Sequence, residues 1–312
     1  FILEGRDQIR GWFNSQLCLA LASFGKPPYK AVYMHGFAND EQGRKMSKSL
    51  GNVIPPEEVI ERYGAESFRL YSVSCTAPGT DMRFSWREVE NSYRTLGVMW
   101  NSYVYALTYI RASNLDPVKS RLEDLELKPE DLWILSRVNT LVEEVTRSLE
   151  KYQLPTAARL LARFVVEDLS HWYIQLIRDR AWVSSKEEEK KAALSTLFYV
   201  LERLVRLVAP FTPMIAEKLY RLTIKPFLKN APESVHMLDW PSVDERWVNR
   251  ELEERMNITR RVVDAVLALR QENGLRRRWP CRRVVLVYRG ENPVKGLEGV
   301  IAKASNVKEV VC

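Results

Sequence analysis

Three runs of apolar residues, each repeating at helical spacing over about four turns or more, constrain this chain most. Leu132, Leu135, Val138, Leu141, Val142, Val145 and Leu149 make the first stripe. Leu160, Leu161, Phe164, Val165, Leu169, Trp172, Tyr173, Leu176 and Ile177 make the second, and Leu194, Leu197, Leu201, Leu204, Val205 and Val208 the third. The i, i+3, i+4 rule marks each as one face of an amphipathic helix. Such helices, joined by short turns, can bury their stripes only against one another. The expected result is an all-α helical bundle across residues 86–245, with Pro155, Pro210 and Pro213 near helix starts.

The residues before the bundle read differently. Asp7 to about Phe24 has apolar residues at helical spacing (Ile9, Trp12, Phe13, Leu17, Leu19, Leu21) and stops at Gly25, which two prolines soon follow. Tyr29–Phe37 is β-prone, Asn39, Asp40 and Gly43 signal a loop, and Pro55-Pro56-Glu57-Glu58 opens another helix. One more short helix is expected over Glu66–Val73. After the bundle, a helix over about 246–273 gives way to a strand at Arg282–Tyr288, so a small α/β module begins there and reads as cut short at Cys312.

Composition narrows the class. The 312 residues are 46% apolar and 28% charged, too apolar for a disordered chain. The longest uncharged stretch, Thr95–Ile110, contains Asn, Ser and three tyrosines, so neither a membrane helix nor a secretory leader is expected. Four scattered cysteines without CxxC spacing fit a reducing, cytoplasmic setting and no zinc knuckle. The net charge of +7 lies in the last fifth: residues 1–85 carry +1, 86–245 carry −1 and 246–312 carry +7. Its centre is Arg276-Arg277-Arg278-Trp279-Pro280-Cys281-Arg282-Arg283. A basic cluster with an aromatic inside it suits phosphate-backbone contact, and a solvated helix end is the alternative.

Two short segments carry chemistry. Lys45-Met46-Ser47-Lys48-Ser49, flanked by Gly43 and Gly51, sets two ammonium groups three residues apart on a glycine-bounded loop. Such a loop can close on a polyphosphate and offset charge that builds during nucleotidyl transfer; a lysine-rich surface turn is the alternative. Glu4-Gly5-Arg6-Asp7-Gln8 places carboxylates and an amide where a helix begins, as acceptors for a ribose diol or as a plain capping cluster. Gln8 and Trp12, at i and i+4, would share one helix face.

Together, these segments resemble the C-terminal half of the nucleotide-binding catalytic domain of class I aminoacyl-tRNA synthetases. Glu4-Gly5-Arg6-Asp7-Gln8-Ile9-Arg10-Gly11-Trp12-Phe13 is specifically similar to the isoleucine family. The likeness continues through Gly51-Asn52-Val53-Ile54, Tyr63-Gly64-Ala65, Asp81–Trp86, Ser170-His171-Trp172-Tyr173-Ile174, Arg178–Trp182, Ala209–Pro213, Asp239-Trp240-Pro241 and Trp279-Pro280.

The resemblance implies an α/β remainder of a Rossmann-like catalytic domain (1–52), a stem-contact fold (53–85), an anticodon-binding bundle (86–245) and a basic α/β junction module (246–312). Lys45 and Lys48 would be catalytic, neutralising ATP phosphates. Met46, Ser47 and Ser49 would lie beside the nucleotide, Glu4, Gly5 and Asp7 on the adenylate ribose, and Gln8 at the aminoacyl carbonyl. Trp12 would line the amino-acid pocket. Trp172, Arg178, Arg180, Trp182, Arg276, Arg277 and Arg278 are candidates for tRNA contact, with core or ion-pair roles open for the first four. ATP is the implied substrate, with Mg2+ accompanying it and no metal site expected in the chain; L-isoleucine and its tRNA are the implied partners. The family's upstream His-x-Gly-His turn, its tryptophan-rich segment and its inserted proofreading domain are absent from these residues. The chain is thus expected to hold about half an active site, and not to activate an amino acid alone. A valine- or methionine-type enzyme, or a non-catalytic tRNA-binding protein, are the alternatives.

Overall fold

A computed structural model describes residues 1–119 and 121–312. The chain runs β1 (Ile2–Gly5), α1 (Trp12–Phe24), β2 (Val32–His35), β3 (Ala38–Asn39), α2 (Pro56–Tyr63), α3 (Ala65–Ser74) and β4 (Met82–Arg83). A run of helices follows: α4 (Trp86–Ala112), α5 (Pro129–Glu150), α6 (Leu154–Arg163), α7 (Gln175–Ala181), α8 (Glu187–Val208) and α9 (Pro213–Leu219). The last elements are α10 (Arg250–Glu272), β5 (Cys281–Val285), α11 (Glu298–Ser305) and β6 (Val307–Val311). These elements fall into two compact units, residues 1–97 with 144–162 and 210–214, and residues 98–143 with 163–209 and 215–312.

The first unit holds two small parallel pairs, β1 with β2 and β3 with β4. Parallel pairing requires a crossover, and α1 supplies it for the first pair. Val59, Tyr71, Phe84 and Val89 form a buried cluster against which Met46, Ile54 and Trp86 pack. The Tyr71 hydroxyl donates to the Arg83 carbonyl at 3.1 Å and accepts from the Ser85 amide at 3.0 Å, and burial pushes its phenol above the ordinary range. Gly25 ends α1 in the left-handed conformation, as the sequence signals.

The start of α1 differs from expectation. Arg6–Ile9 is a 3-10 turn, and Gly11, with φ −110° and ψ −109°, delays the helix to Trp12. Gln8 and Trp12 therefore share no helix face. Phe13 and Ala20 are the buried residues of α1, whereas Ile9, Leu19 and Leu21 are exposed.

In the second unit the stripes do what their spacing predicts: Leu135, Val138, Leu141 and Val142 on α5 are buried, as are all six of the α8 set. Leu132 is the exception, exposed while Trp133 and Ile134 turn inward. The second stripe is not α-helical throughout. Phe164–Ile174 widens into a π-helical stretch, bonded i→i+5, in which Phe164, Val165, Leu169, Tyr173 and Ile174 are buried. Pro210 lies in the turn between α8 and α9, just before Pro213 opens α9. In the α/β module, the strand starts one residue early and ends at Val285, and β5 and β6 pair in parallel around α11. No helix among the described residues is long and apolar enough to cross a membrane.

Candidate active site and nucleic-acid interface

The loop bearing Lys45 and Lys48 is built on a buried carboxylate. Asp40, at the end of β3, accepts from the Gln42 and Arg44 amides at 3.0 and 2.8 Å and from Arg44 Nε at 2.9 Å. Asn52 closes the far end: Nδ2 donates to Asp40 Oδ2 at 2.9 Å and to the Lys45 carbonyl at 3.2 Å, and Oδ1 accepts from the Ser47 amide at 2.9 Å. The Asn52 hydrogen bond and the Arg44 contacts hold the Asp40 carboxyl down at about 2. Ser47 Oγ caps the Lys48–Leu50 3-10 turn, and Gly51, at φ +64°, ends it. Met46 is anchored in the apolar cluster while Lys45, Lys48 and Ser49 stay exposed. Apolar anchor and solvated cations thus alternate along the pentapeptide.

The opening segment reaches the same place. β1 and β2 pair Gly5 with His35, and the chain then passes Gly36 to Phe37. A Cβ on Gly36 would lie 2.2 Å from the Thr80 carbonyl oxygen, so only glycine permits that close approach. Asp81 Oδ1 accepts from the Phe37 amide at 2.9 Å and pairs with Arg6 at 3.1 Å. The Arg6 guanidinium carbon lies 4.9 Å from the centroid of the Phe37 ring, and Lys45 Nζ lies 5.8 Å from it. Phe37 therefore ties the two chemistry-bearing segments together. Glu4 folds onto the Gly5 amide at 3.1 Å. Gln8 does two things at once: its Nε2 donates to Asp7 at 3.0 Å, and its Oε1 accepts from the Trp12 amide at 3.2 Å. Trp12 is 41% exposed.

The tRNA-contact candidates separate by burial. Arg180 is 3% exposed and grips Asp131 with both terminal nitrogens, at 2.8 and 2.7 Å, with Glu130 at 3.0 Å from it. Tyr173 donates to the same carboxylate at 2.8 Å. Arg180 thus takes the ion-pair role that the sequence left open, because both terminal nitrogens of a buried guanidinium are engaged by carboxylates. Trp172 is half-buried, and the Arg260 guanidinium lies 5.1 Å from its ring and 4.6 Å from that of Trp133. Trp172 lines a cleft of about 420 Å³ with His171, Arg260, Arg277 and Lys303. Arg178 and Trp182 are exposed, as are Arg276, Arg277 and Arg278. Among the described residues no group of His, Cys, Asp and Glu could hold a metal ion.

Sequence reading passed over the roles of Asp40, Asn52, Phe37 and Asp81, although Asn52 and Asp81 stand in segments that carry the resemblance. No local pattern marks a residue whose partners lie 12 or 44 positions away.

Comparison with known proteins now places the chain. Residues 131–286 match the family described as anticodon-binding domain of tRNA ligase, and the chain belongs to it. Residues 1–85 match tRNA synthetases class I (I, L, M and V). Among curated relatives, the isoleucine--tRNA ligases of Methanopyrus kandleri and Pyrococcus abyssi are 48% and 47% identical over 99% of this chain. That of Methanothrix thermoacetophila is 45% identical over all of it. The chain spans about three tenths of their length, 29–30%. Of solved structures, a ternary complex of Agrobacterium radiobacter K84 agnB2 LeuRS with tRNA and LeuAMS shares the fold at a TM-score of 0.59 and 23% identity, over 80% of this chain and 29% of that one. Mycobacterium tuberculosis methionyl-tRNA synthetase with methionyl-adenylate does so at 0.56 and 19%, over 76% and 50%.

Proposed function

We propose that this chain is part of an isoleucine--tRNA ligase, which joins L-isoleucine to its tRNA at the expense of ATP. The isoleucine carboxylate attacks the α-phosphorus of ATP, the α–β bond breaks and pyrophosphate leaves. A terminal ribose hydroxyl of the tRNA then attacks the adenylate carbonyl and AMP departs. Lys45 and Lys48 offset the charge that builds on the phosphates, where a fixed cation stabilises the transition state more than the ground state. Met46, Ser47 and Ser49 shape the loop on the nucleotide. Glu4, Gly5 and Asp7 face the ribose, Gln8 the aminoacyl group, and Trp12 walls the side-chain pocket. Mg2+ would accompany ATP and add to the charge neutralisation that Lys45 and Lys48 provide. The observation that carries this reading is the shared Phe37 ring, with Lys45 on the loop and Arg6 of the opening segment both against it.

In this reading residues 1–52 are the catalytic half-domain, 53–85 the stem-contact fold, 86–245 the anticodon-binding bundle and 246–312 a basic junction module. Exposed Arg178 and Trp182, half-buried Trp172 and the Arg276–Arg278 run are the RNA-facing groups. The four free cysteines support a cytoplasmic setting. Exchange of labelled pyrophosphate into ATP by the enzyme that contains this chain, run with each amino acid, tests the assignment. Isoleucine should give the fastest exchange; faster exchange with valine or methionine would reject it.

A further inference from the structure

A small cleft in the second unit has the opposite sign from the basic turn. About 260 Å³ in volume, it lies between the start of α5, the end of α7 and α11. Glu130, on its wall, is 7% exposed, and the neighbouring Asp131 is fully buried. One guanidinium serves both carboxylates: Arg180 Nη2 lies 3.0 Å from Glu130, while both terminal nitrogens hold Asp131. Among the described residues no other cation forms an ion pair with either. That leaves one buried negative charge in excess, and burial pushes the Glu130 carboxyl up against the pull of Arg180. An unmatched buried charge is costly, and an ammonium group set beside Glu130 would match it.

The rest of the lining supplies the other pole. Lys128 and Lys303 border the same cleft, where they pair with Glu189 and Asp179, each at 3.2 Å and in contact with solvent. Pairs that water reaches contribute at most about 1 kcal/mol, so a carboxylate entering the cleft can displace them. Leu176 and Val300, both buried, form an apolar wall. Gly296 and Gly299 put no side chain into the space, and a Cβ on Gly299 would meet nothing within 4 Å. Pockets for drug-sized ligands run from about 300 to 1,000 Å³, so the occupant is smaller than a nucleotide. The excess negative charge beside Glu130 also turns phosphates away.

We propose that this cleft binds a free α-amino acid with a small apolar side chain. Its ammonium group meets Glu130, its carboxylate lies between Lys128 and Lys303, and its side chain rests on Leu176 and Val300. The site shares no residue with the loop of Lys45 and Lys48 or with the pocket that Trp12 walls. It stands on the charges and the volume of the cleft and does not rest on the synthetase reading.

The test is isothermal titration calorimetry of the enzyme containing this chain, with the activation pocket first saturated by an isoleucyl sulfamoyl-adenosine. The probes are L-valine, isobutylamine, which lacks the carboxylate, and isovalerate, which lacks the ammonium group. Valine should bind, and each fragment should bind about 10-fold more weakly or worse, the loss expected for one charge-assisted contact. Glu130→Gln should weaken valine on the same scale. Gly299→Leu should abolish binding by filling the cleft, with a urea midpoint no lower than the parent's, because leucine suits a helix better than glycine. A parent that does not bind valine, or binds isobutylamine equally well, would overturn the site. So would valine binding that both variants retain, or that vanishes once the adenylate analogue is bound.

Discussion

The Asn52 carboxamide donates to the Asp40 carboxylate at 2.9 Å while its oxygen accepts the Ser47 amide at 2.9 Å, so one side chain spans the base of the loop that carries Lys45 and Lys48. A hydrogen bond to a charged group contributes about 1.5–3 kcal/mol, so Asn52→Ala should lower isoleucine-dependent pyrophosphate exchange about 10- to 100-fold. The loss should fall on kcat more than on the KM for ATP, because fixing the ammonium groups matters most where charge builds. Asn52→Asp would set a second carboxylate against Asp40 and should lose more at neutral pH, recovering partly as the pH falls toward the carboxylate range. Wild-type kinetics in both variants would remove the clasp from the mechanism.

Asp40 also predicts an acid limit. Its folded pKa of about 2 lies below the ordinary carboxylate value near 3.8. The stability this contributes is present above about pH 4 and lost as the pH falls through 2. Hydrogen exchange of the Ser47 and Arg44 amides should therefore keep its protection at pH 5 and lose it on descent from 4 toward 2. Protection that disappears at pH 6 would show that the carboxylate does not hold the loop.

Lys45→Ala and Lys48→Ala should separate chemistry from binding. A fixed donor at developing charge contributes about 100- to 1000-fold to rate, so each variant should depress amino-acid activation on that scale with tRNA affinity nearly unchanged. Both side chains are exposed, so folding should be untouched. Equal losses in activation and in tRNA binding would favour a non-catalytic role for the loop.

How far the sequence carried this picture follows from the range of the interactions. Gly25 ends α1 and Pro56 opens α2, because a cap or a fixed φ is a property of one or two residues. The α5 and α8 stripes were legible for the same reason, since i and i+4 settle which face is buried. The pentapeptide was legible as a motif, but the reason its methionine stands between lysines was not: Met46 needs the cluster around Val59 and Tyr71, which exists only after folding. Gly11 shifted the helix start against its apolar spacing, and Phe164–Ile174 reads as ordinary amphipathic spacing until the backbone widens. Arg180 reads as one more basic residue beside Arg178, and Asp131, 49 positions away, together with Glu130 makes it a core group.

That pairing gives a prediction opposite to an RNA contact. Removing one partner of a buried ion pair costs about 3–5 kcal/mol, because the other charge stays behind unpaired. Arg180→Ala should therefore lower the urea midpoint sharply, whereas exposed Trp182→Ala should barely move it. An unchanged midpoint in Arg180→Ala with a specific loss of tRNA affinity would return Arg180 to the interface.

Gly36 and Gly97 make a matched pair for the final prediction. A methyl at Gly36 would fall 2.2 Å from the Thr80 carbonyl oxygen and 2.6 Å from the Asp81 amide nitrogen, backbone atoms of a turn that the Thr80 amide ties to the Ala77 carbonyl at 3.2 Å. Asp81 cannot retreat without losing the Phe37 amide and Arg6. Overpacking against fixed atoms costs about 1–3 kcal/mol, so Gly36→Ala should destabilise the enzyme by that amount. It should also slow activation, since Phe37 carries the contacts of both Arg6 and Lys45. Gly97 lies inside α4, exposed, and a methyl there would meet nothing within 4 Å beyond its own helix. Gly97→Ala should therefore stabilise by about 0.5–1 kcal/mol through helix propensity alone. Denaturant unfolding of the two variants checks both signs, and a Gly36→Ala enzyme as stable and active as the parent would mean that the strand-to-loop passage is looser than its 2.2 Å approach implies.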